Sequence, residues 1–317
     1  MSSIFKDRRV LVTGGSGLIG GAFVRALLAR GAEVRSIHHH RRPACHDVIE
    51  SLDGDLRDRH FARWCCEDID FVVHAAGVSG GSLRATLDPI PMYTDSLAIQ
   101  TNVIEGARLS GVERLLFVSN SSVYPTLDRP LREEDALTGP PENDLGLVKL
   151  TGEAQARMAA ARGAFELAII RTANAYGPGD DFGPDSAHVI GGLIGKAVGS
   201  DGPVEVWGDG RAIRDFIHVD DIARSGLFLL EHGPTGDPVN VGTGRKTSIA
   251  ELARLVLEAA GRPRDELRFT GEAPTTTTEK VLDLSVMAER GFRPGIALED
   301  GLAQTFEWLW AQRLVLA

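Results

Sequence analysis

Three glycines stand at three-residue intervals, Gly14, Gly17 and Gly20, in the stretch VLVTGGSGLIGGAFVRALLARG. They close a strand-like apolar run and open a helix-like one, which is where glycine has a chemical use. Without a Cβ the backbone can approach a pyrophosphate and the helix can pack closely on the strand. The N–H groups from Ser16 and Gly17 through Leu18 and Ile19 then carry the positive end of the helix dipole toward phosphate. A dinucleotide is the ligand that such a turn suits. Its type is decided at the end of the next strand, where a carboxylate would hold the ribose hydroxyls of NAD. Here the chain reads VRSIHHHRRP, with His38, His39, His40, Arg41 and Arg42 and no carboxylate. NADP is therefore expected, with NAD as the alternative. The same histidines with Cys45 and His46 resemble a ligand cluster, but consecutive side chains do not converge on one point, and no metal centre is expected. Downstream, GDL sets Asp55 and Leu56 after a third strand, where Asp55 either meets an adenine edge or caps a helix.

These residues need a frame, and the hydrophobic pattern supplies one. Residues 9–13, 33–37, 71–75, 115–119 and 167–171 are short, near-continuous apolar runs, as in parallel strands buried on both faces. Between them, residues 18–30, 58–66, 95–110 and 149–162 return apolar side chains every three or four positions. Repeated strand and helix predict an α/β fold of the Rossmann type, a doubly wound parallel sheet with right-handed crossovers. After residue 172 the texture shifts to glycine and proline clusters and shorter strands. We therefore expect a dinucleotide-binding domain over 1–172 and a smaller mixed α/β substrate lobe over 173–317. Some later segments should return to the sheet, residues 239–241 among them, and helices are expected at 249–260 and 298–310.

Composition narrows the partners. A length of 317 residues allows one large domain or two intimate ones. The net charge of −10 and the lack of a basic stripe argue against nucleic acid. Three cysteines, two of them adjacent at Cys65 and Cys66, do not make a disulfide framework. The first residues lack the apolar run of a signal peptide and no segment has the roughly 20 apolar residues of a membrane span, so no membrane partner and a cytoplasmic location are expected.

Several motifs in order carry a resemblance. VTGGSGLIG, GDL, HAAG at 74–77, NAYGPGDD at 174–181, RDFIHVDDIA at 214–223 and NVGTG at 240–244 together resemble the extended short-chain dehydrogenase/reductases, which are nucleotide-sugar epimerases, dehydratases and reductases. Within that family the chain is most similar to the GDP-L-fucose synthases, which epimerise a GDP-4-keto-6-deoxy sugar and then reduce its ketone with NADPH. VSGG at 78–81, SLAIQTNVI at 96–104, the Tyr124-Pro125 step, DSAHVIGGLIGK at 185–196, VEVWGDG at 204–210 and EKVLDLS at 279–285 carry this narrower likeness. The resemblance spans essentially the whole chain. It implies a cofactor lined by Ala75, Ala76 and Gly77, a nucleotide-sugar substrate, and a homodimer formed through helices flanking the Lys149 segment.

The catalytic positions depart from the family. Its Tyr-x-x-x-Lys pair sits one helical turn apart, the lysine binding the nicotinamide ribose and lowering the tyrosine pKa so that the phenol exchanges a proton with the sugar oxygen. In PENDLGLVKLTGE the lysine is Lys149, but Leu145 stands where the tyrosine belongs, and leucine carries no proton. The serine or threonine that binds the substrate oxygen is Asn120, and the supporting asparagine is Ser96. Only Tyr93, Tyr124 and Tyr176 exist. The last two hold positions that are structural in the family, and Tyr93, which precedes the helix expected at 95–110, is the remaining candidate. Of the groups that exchange protons beside the ketone, His188 matches the family's acid/base histidine, with a pKa suited to neutral pH, and Ser122 replaces its cysteine partner. The resemblance further implies substrate binding by Asn174, His188, Val189, Lys196, Trp207, Arg214 and Lys280, whose cations neutralise a diphosphate and whose indole stacks on a base.

Three functions fit these residues. The first, which we favour, is an atypical epimerase of a nucleotide-linked 4-keto-6-deoxy sugar that uses His188. The second is an NADPH-dependent keto-sugar reductase with a substitute proton donor. The third is a non-catalytic dinucleotide-binding protein, since fold alone does not carry function.

Overall fold

The computed structural model describes residues 3–39, 48–78, 89–183, 187–199, 202–271 and 278–316. The first half runs β1 (Arg9–Thr13), α1 (Leu18–Leu28), β2 (Glu33–His38), β3 (Glu50–Asp53), α2 (Arg59–Cys65), β4 (Phe71–His74), α3 (Pro89–Ser110), β5 (Arg114–Asn120), α4 (Asp144–Ala160) and β6 (Glu166–Thr172). The second half adds β7 (Asn174–Tyr176), α5 (Val189–Gly199), β8 (Val204–Val206), β9 (Ile213–Arg214), β10 (Phe216–His218), α6 (Val219–His232) and β11 (Pro238–Val241). It continues through β12 (Thr247–Ser248), α7 (Ile249–Ala259), β13 (Leu267–Phe269), β14 (Glu279–Lys280), α8 (Ser285–Glu289) and α9 (Leu298–Leu316). Short 3₁₀ turns cover Ser121–Val123, Glu133–Leu137 and Arg264–Glu266.

Among the described residues the main sheet has seven strands in the order β11-β6-β5-β4-β1-β2-β3, and each adjacent pair runs parallel. This is the doubly wound α/β sheet expected from the apolar runs. Central β1 explains its own sequence: Val10, Leu11 and Val12 are fully buried, so both faces must be apolar. On one face α1 and α6 cover the sheet through Phe23, Leu27, Leu227 and Leu230. On the other, α2, α3 and α4 pack through Ala62, Val103, Ile104 and Ala156 against Leu11, Leu115 and Phe117. The strand order reverses at β1, which pairs with β2 on one side and β4 on the other. Their carboxyl ends therefore open a crevice of the kind that binds ligands in such sheets.

Two helices begin earlier than their periodicity suggests. Helix α3 is described from Pro89, ahead of the residue 95 expected from periodicity. Tyr93 is therefore inside the helix and not before it. Helix α4 starts at Asp144 rather than at residue 149, because the side chain of Asn143 caps it by accepting from the Gly146 N–H at 3.1 Å. Leu145 and Lys149 thereby share one helix.

The later segments divide their loyalties. β11 returns to the edge of the main sheet beside β6, as residues 239–241 suggested. β7 with β10, β9 with β12 and β14, and β8 with β13 form smaller sheets. A third core of Tyr176, Ile194, Phe216, Leu252, Val256 and Leu302 joins α5, α7 and α9 to them.

Candidate active site

The glycine turn is a cradle that side chains would fill. Gly14 has φ +71°, and a Cβ there would lie 3.0 Å from the Ala76 backbone. A Cβ on Gly20 would overlap the Gly14 carbonyl, which is why the helix can sit so close to the strand. Gly17 is the N-cap of α1 and brings no capping side chain, so the helix amino terminus is left for a ligand; Gly17 is exposed, and Ser16, Leu18 and Ile19 are half-buried. These features fit a dinucleotide pyrophosphate. Across the crevice, the Gly179 backbone closes toward the Leu18 Cα, so the segment after β7 borders the same cradle.

The far end of the crevice holds a charged cluster. His38 ends β2, its Nδ1 3.4 Å from Ser51 Oγ. Asp55 lies 4.0 Å from His39 Nε2, and Arg57 grips its carboxylate through Nε at 2.8 Å and Nη2 at 2.6 Å. That grip holds the Asp55 carboxyl below the usual carboxylate range. Arg57 also donates to Asp95 at 2.8 Å. The helix cap proposed for Asp55 is a correction: Asp58 caps α2, accepting from the His60 N–H at 2.8 Å. Asn102 supports the turn by donating to the Leu56 carbonyl at 3.0 Å. Arg57 follows the GDL motif and Asn102 lies inside SLAIQTNVI, yet their roles depend on contacts that spacing does not reveal. His40, Arg41, Arg42, Cys45 and His46 lie outside the described residues, as do residues 79–81 and 185.

At the centre, four positions converge at the ends of β4 and β5. Lys149 donates to the Val118 carbonyl at 2.8 Å, and a Cβ on Gly77 would be 4.0 Å from its Nζ, so the ammonium faces the chain just beyond β4. Ala75 and Ala76 are half-buried beside it, and the Ala76 N–H donates to Thr13 Oγ1 at 3.2 Å. Burial pushes the Lys149 pKa down to about 8, with Glu153 opposing. Leu145 occupies the turn before Lys149 and is half-buried. Asn120 ends β5 and uses Oδ1 to accept from the Ser122 N–H at 2.9 Å, which leaves its Nδ2 donors for other partners. A Cβ on Gly146 would overlap the Ser122 carbonyl, so a glycine on α4 lets the Leu145–Lys149 turn lie directly against Asn120 and Ser122. Ser96 Oγ holds the chain after Gly77, accepting from the Val78 N–H at 3.0 Å.

Two of the three tyrosines are committed elsewhere, while Tyr93 is half-buried in α3. Tyr124 is buried; its hydroxyl donates to Asn240 Oδ1 and accepts from Arg171 at 3.2 Å, and burial pushes its pKa up. Tyr176 is buried with its hydroxyl 3.4 Å from the Leu298 carbonyl, and burial raises its pKa as well. Beneath the site, Arg171 and Glu153 form a buried bidentate pair, Nε to Oε1 at 3.0 Å and Nη2 to Oε2 at 2.7 Å. Sequence reasoning missed this pair because its members come from β6 and α4. Another buried group, His74, shares a 2.8 Å hydrogen bond with Thr13 Oγ1, and burial lowers its pKa to about 3.

The groups expected on the substrate side are arrayed over the second half of the chain. His188 is exposed just before α5, and the protein around its ring lowers its pKa while Asp181 opposes. Val189 next to it is exposed. Gly191 and Gly195 let α5 pack on the backbone of Asp181 and Phe182, which fixes the helix start that carries His188. Lys196 donates to the Glu205 carbonyl at 2.7 Å and lies 5.1 Å over the ring of Trp207, itself half exposed. Asn174 is turned inward, its Nδ2 donating to the Asp215 carbonyl at 2.8 Å. Arg214 on β9 is the register partner of Lys280 on β14, and Lys280 forms an ion pair with Glu142. The structure thus joins Asn120, Ser122, Leu145 and Lys149 directly. It sets Lys196 with Trp207 and Arg214 with Lys280 as pairs, and His188 just before the helix that carries Lys196.

A family model described as the NAD dependent epimerase/dehydratase family matches residues 10–242. The chain belongs to this family. Among curated relatives, it is 33% identical over 312 residues to the probable GDP-L-fucose synthase 1 of Oryza sativa subsp. japonica, covering 96% of this chain and 92% of that one. It is equally 33% identical over 316 residues to the dTDP-4-dehydro-6-deoxy-D-allose reductase of Streptomyces bikiniensis, covering 95% and 96%. Among solved structures, MoeE5 in complex with UDP-glucuronic acid and NAD superposes with a TM-score of 0.82 at 29% identity, covering 96% of this chain and 99% of that one. Among the described residues no helix is long and apolar enough to cross a membrane, and no group of three or more His, Cys, Asp or Glu is placed to hold a metal ion.

Proposed function

We propose that the protein is an enzyme that epimerises a nucleotide-linked 4-keto-6-deoxy sugar, with a dinucleotide, NADP before NAD, in the cradle at Gly14–Gly20. The observation that carries this reading is Leu145 above Lys149 with Tyr124 and Tyr176 both bonded inside the core. Reduction of a ketone needs a proton delivered to its oxygen, the task of the missing phenol. Epimerisation beside a ketone that is already present needs only that a C–H proton leave one face and return on the other.

The residues divide that work. His188 takes or gives the proton on one side, an imidazole whose ordinary pKa suits proton exchange near neutral pH. Ser122 faces the other side. Asn120 Nδ2 donates to the oxygen of the enolate that forms, a hydrogen bond that stabilises charge without transferring a proton. Lys149 holds the cofactor ribose and sets a positive charge beside the same oxygen. Gly14, Ser16, Gly17, Leu18, Ile19 and Gly20 bind the pyrophosphate, and Ala75, Ala76 and Gly77 line the nicotinamide end. His38, with Asp55 and Leu56, borders the adenosine. Lys196, Trp207, Arg214 and Lys280 hold the nucleotide diphosphate, with Asn174 and Val189 beside it. A dinucleotide bound there supplies a hydride donor or acceptor at the sugar carbon.

A second reading, a reductase, is supported by Lys149: with a pKa of about 8 it is the acid nearest the missing phenol. Both readings yield to one experiment. Incubation with GDP- and dTDP-4-keto-6-deoxy sugars in deuterated water, with and without NADPH, is followed by proton NMR. Ring-proton exchange without NADPH consumption is the expected result, abolished in His188→Ala. NADPH consumption with a new alcohol selects the reductase, and inertness toward every keto sugar overturns both and leaves a non-catalytic dinucleotide-binding protein. We further propose a cytoplasmic homodimer joined by α3 and α4, whose Leu109, Leu147 and Met158 are exposed; sedimentation should give the mass of two chains, and a single-chain mass at micromolar concentration would exclude it.

A further inference from the structure

Glu142 stands near the start of the segment that carries Leu145 and Lys149, yet the resemblance gives it no role. Its backbone N–H donates to the carbonyls of Ser122 and Tyr124, each at 3.0 Å, which pins the residue to the turn that carries Ser122. Its carboxylate reaches across to the second half of the chain and pairs with Lys280. Both partners are largely enclosed, with side-chain exposures of 20% for Glu142 and 10% for Lys280. The neighbouring cation on the paired strand is Arg214, and the same carboxylate opposes the lowering of its pKa by burial. Glu279, adjacent to Lys280, is paired with Lys246. Beside the pair there is only a cavity of about 10 Å³, room for roughly one water, bordered by Tyr124, Glu142, Glu279 and Lys280, so a larger anion gains its place there by moving the carboxylate.

We propose that Glu142 is a resident counter-ion for Lys280 and Arg214, and that a nucleoside diphosphate binds by displacing its carboxylate from Lys280. The inference rests on the assignment of Arg214 and Lys280 to the diphosphate. Enclosed ammonium and guanidinium groups are costly without an anion, and burial does depress the pKa of Lys280 even with Glu142 beside it. A carboxylate and a phosphate are both oxyanions that charge-assisted donors bind in the same way, so one ammonium serves them in turn. Glu142 thus keeps the cations in place and at the same time lowers the affinity that they show for free nucleotide. Binding becomes an exchange of anions, and the released carboxylate stays beside Ser122.

Calorimetric titration of the whole protein with GDP, dTDP and UDP tests this on wild type, Glu142→Gln, Glu142→Asp and Lys280→Met. Glu142→Gln should bind its preferred diphosphate about tenfold more tightly, the scale expected when one opposing charge is removed from a partly enclosed site. Glu142→Asp should fall back toward wild type, and Lys280→Met should bind more weakly than either. A purely structural Glu142 would give equal or weaker binding in the Gln variant, which overturns the proposal. If that variant does not fold, the carboxyl-carbon NMR signal of Glu142 in wild type, identified by its loss in Glu142→Asp, must shift on saturation with GDP; an unmoved signal under full binding also overturns it. Absence of binding by all three diphosphates to wild type removes the nucleotide-sugar assignment and this inference with it, whereas binding unchanged by Glu142→Gln removes the inference alone.

Discussion

In the proposed epimerase, Lys149 and Leu145 set the chemistry by what one keeps and the other lacks. The lysine sits under the carbonyl of Val118 and near Gly77, and burial brings its pKa from an ordinary 10.5 to about 8. The ammonium is therefore charged through pH 7 and loses its proton as the pH rises past about 8. NMR of ¹³Cε-labelled lysine should show one signal, absent in Lys149→Met, titrating near 8; a midpoint at the ordinary value would remove Lys149 as the substitute acid. At the same scale, Leu145→Tyr places a phenol one turn from that ammonium. It should gain NADPH-dependent ketone reduction with a substrate that wild type only exchanges, and no gain would mean that Asn120 and Ser96 have also changed what the pocket binds.

At the scale of elements, the site exists because a helix and a turn are allowed to touch. Helix α4 brings Lys149 to β5 only because Gly146 presents no Cβ to the Ser122 carbonyl. Gly146→Ala forces α4 away from the Asn120–Tyr124 turn, and overpacking of that kind costs about 1–3 kcal/mol. Chemical unfolding should show that loss, together with a fall in proton exchange larger than the loss of folded protein. Gly199→Ala is the comparison, since among the described residues a methyl there meets nothing within 4 Å, and surface changes of that kind stay within about 0.5 kcal/mol. If the two variants are equally stable and active, the close approach does not matter.

Across the whole molecule, the buried histidines couple folding to pH. His74 is fully enclosed with Thr13 as its partner, and His218 is fully enclosed as the N-cap of α6; burial lowers the pKa of both. For His74 the value is about 3 against 6.5 for the ordinary side chain, so the unfolded chain binds more protons over that window. Stability is complete above pH 6.5 and is lost as the pH falls toward 3, at about 1.4 kcal/mol per unit, or about 2 kcal/mol from pH 6.5 to 5 for His74 alone. Urea unfolding at pH 7.5 and pH 5 should show this decline, and His74→Gln should flatten it while lowering stability at both. An unchanged slope in that variant would place the sensitivity elsewhere.

Sequence by itself determined the class of the fold and the first half of its elements, because burial on both faces of a parallel strand writes itself as an apolar run and because a glycine turn at a strand end has few uses. The family resemblance also sets Leu145 where a phenol is expected, one turn before Lys149, and that expectation was legible because a one-turn spacing on a helix is local information. Tertiary structure decided what those local signals could not. Asp55 is held by Arg57 while Asp58 is the cap, a distinction between two carboxylates three residues apart that depends on the direction of each side chain. Tyr124 is withdrawn from chemistry by Asn240 and Arg171, which lie 116 and 47 positions away in the chain. Glu142 meets Lys280 across 138 positions. Periodicity and motif report on neighbours within a turn or a strand, whereas a site assembled from β4, β5, α4, β9 and β14 depends on which distant segments the sheet order brings to one edge.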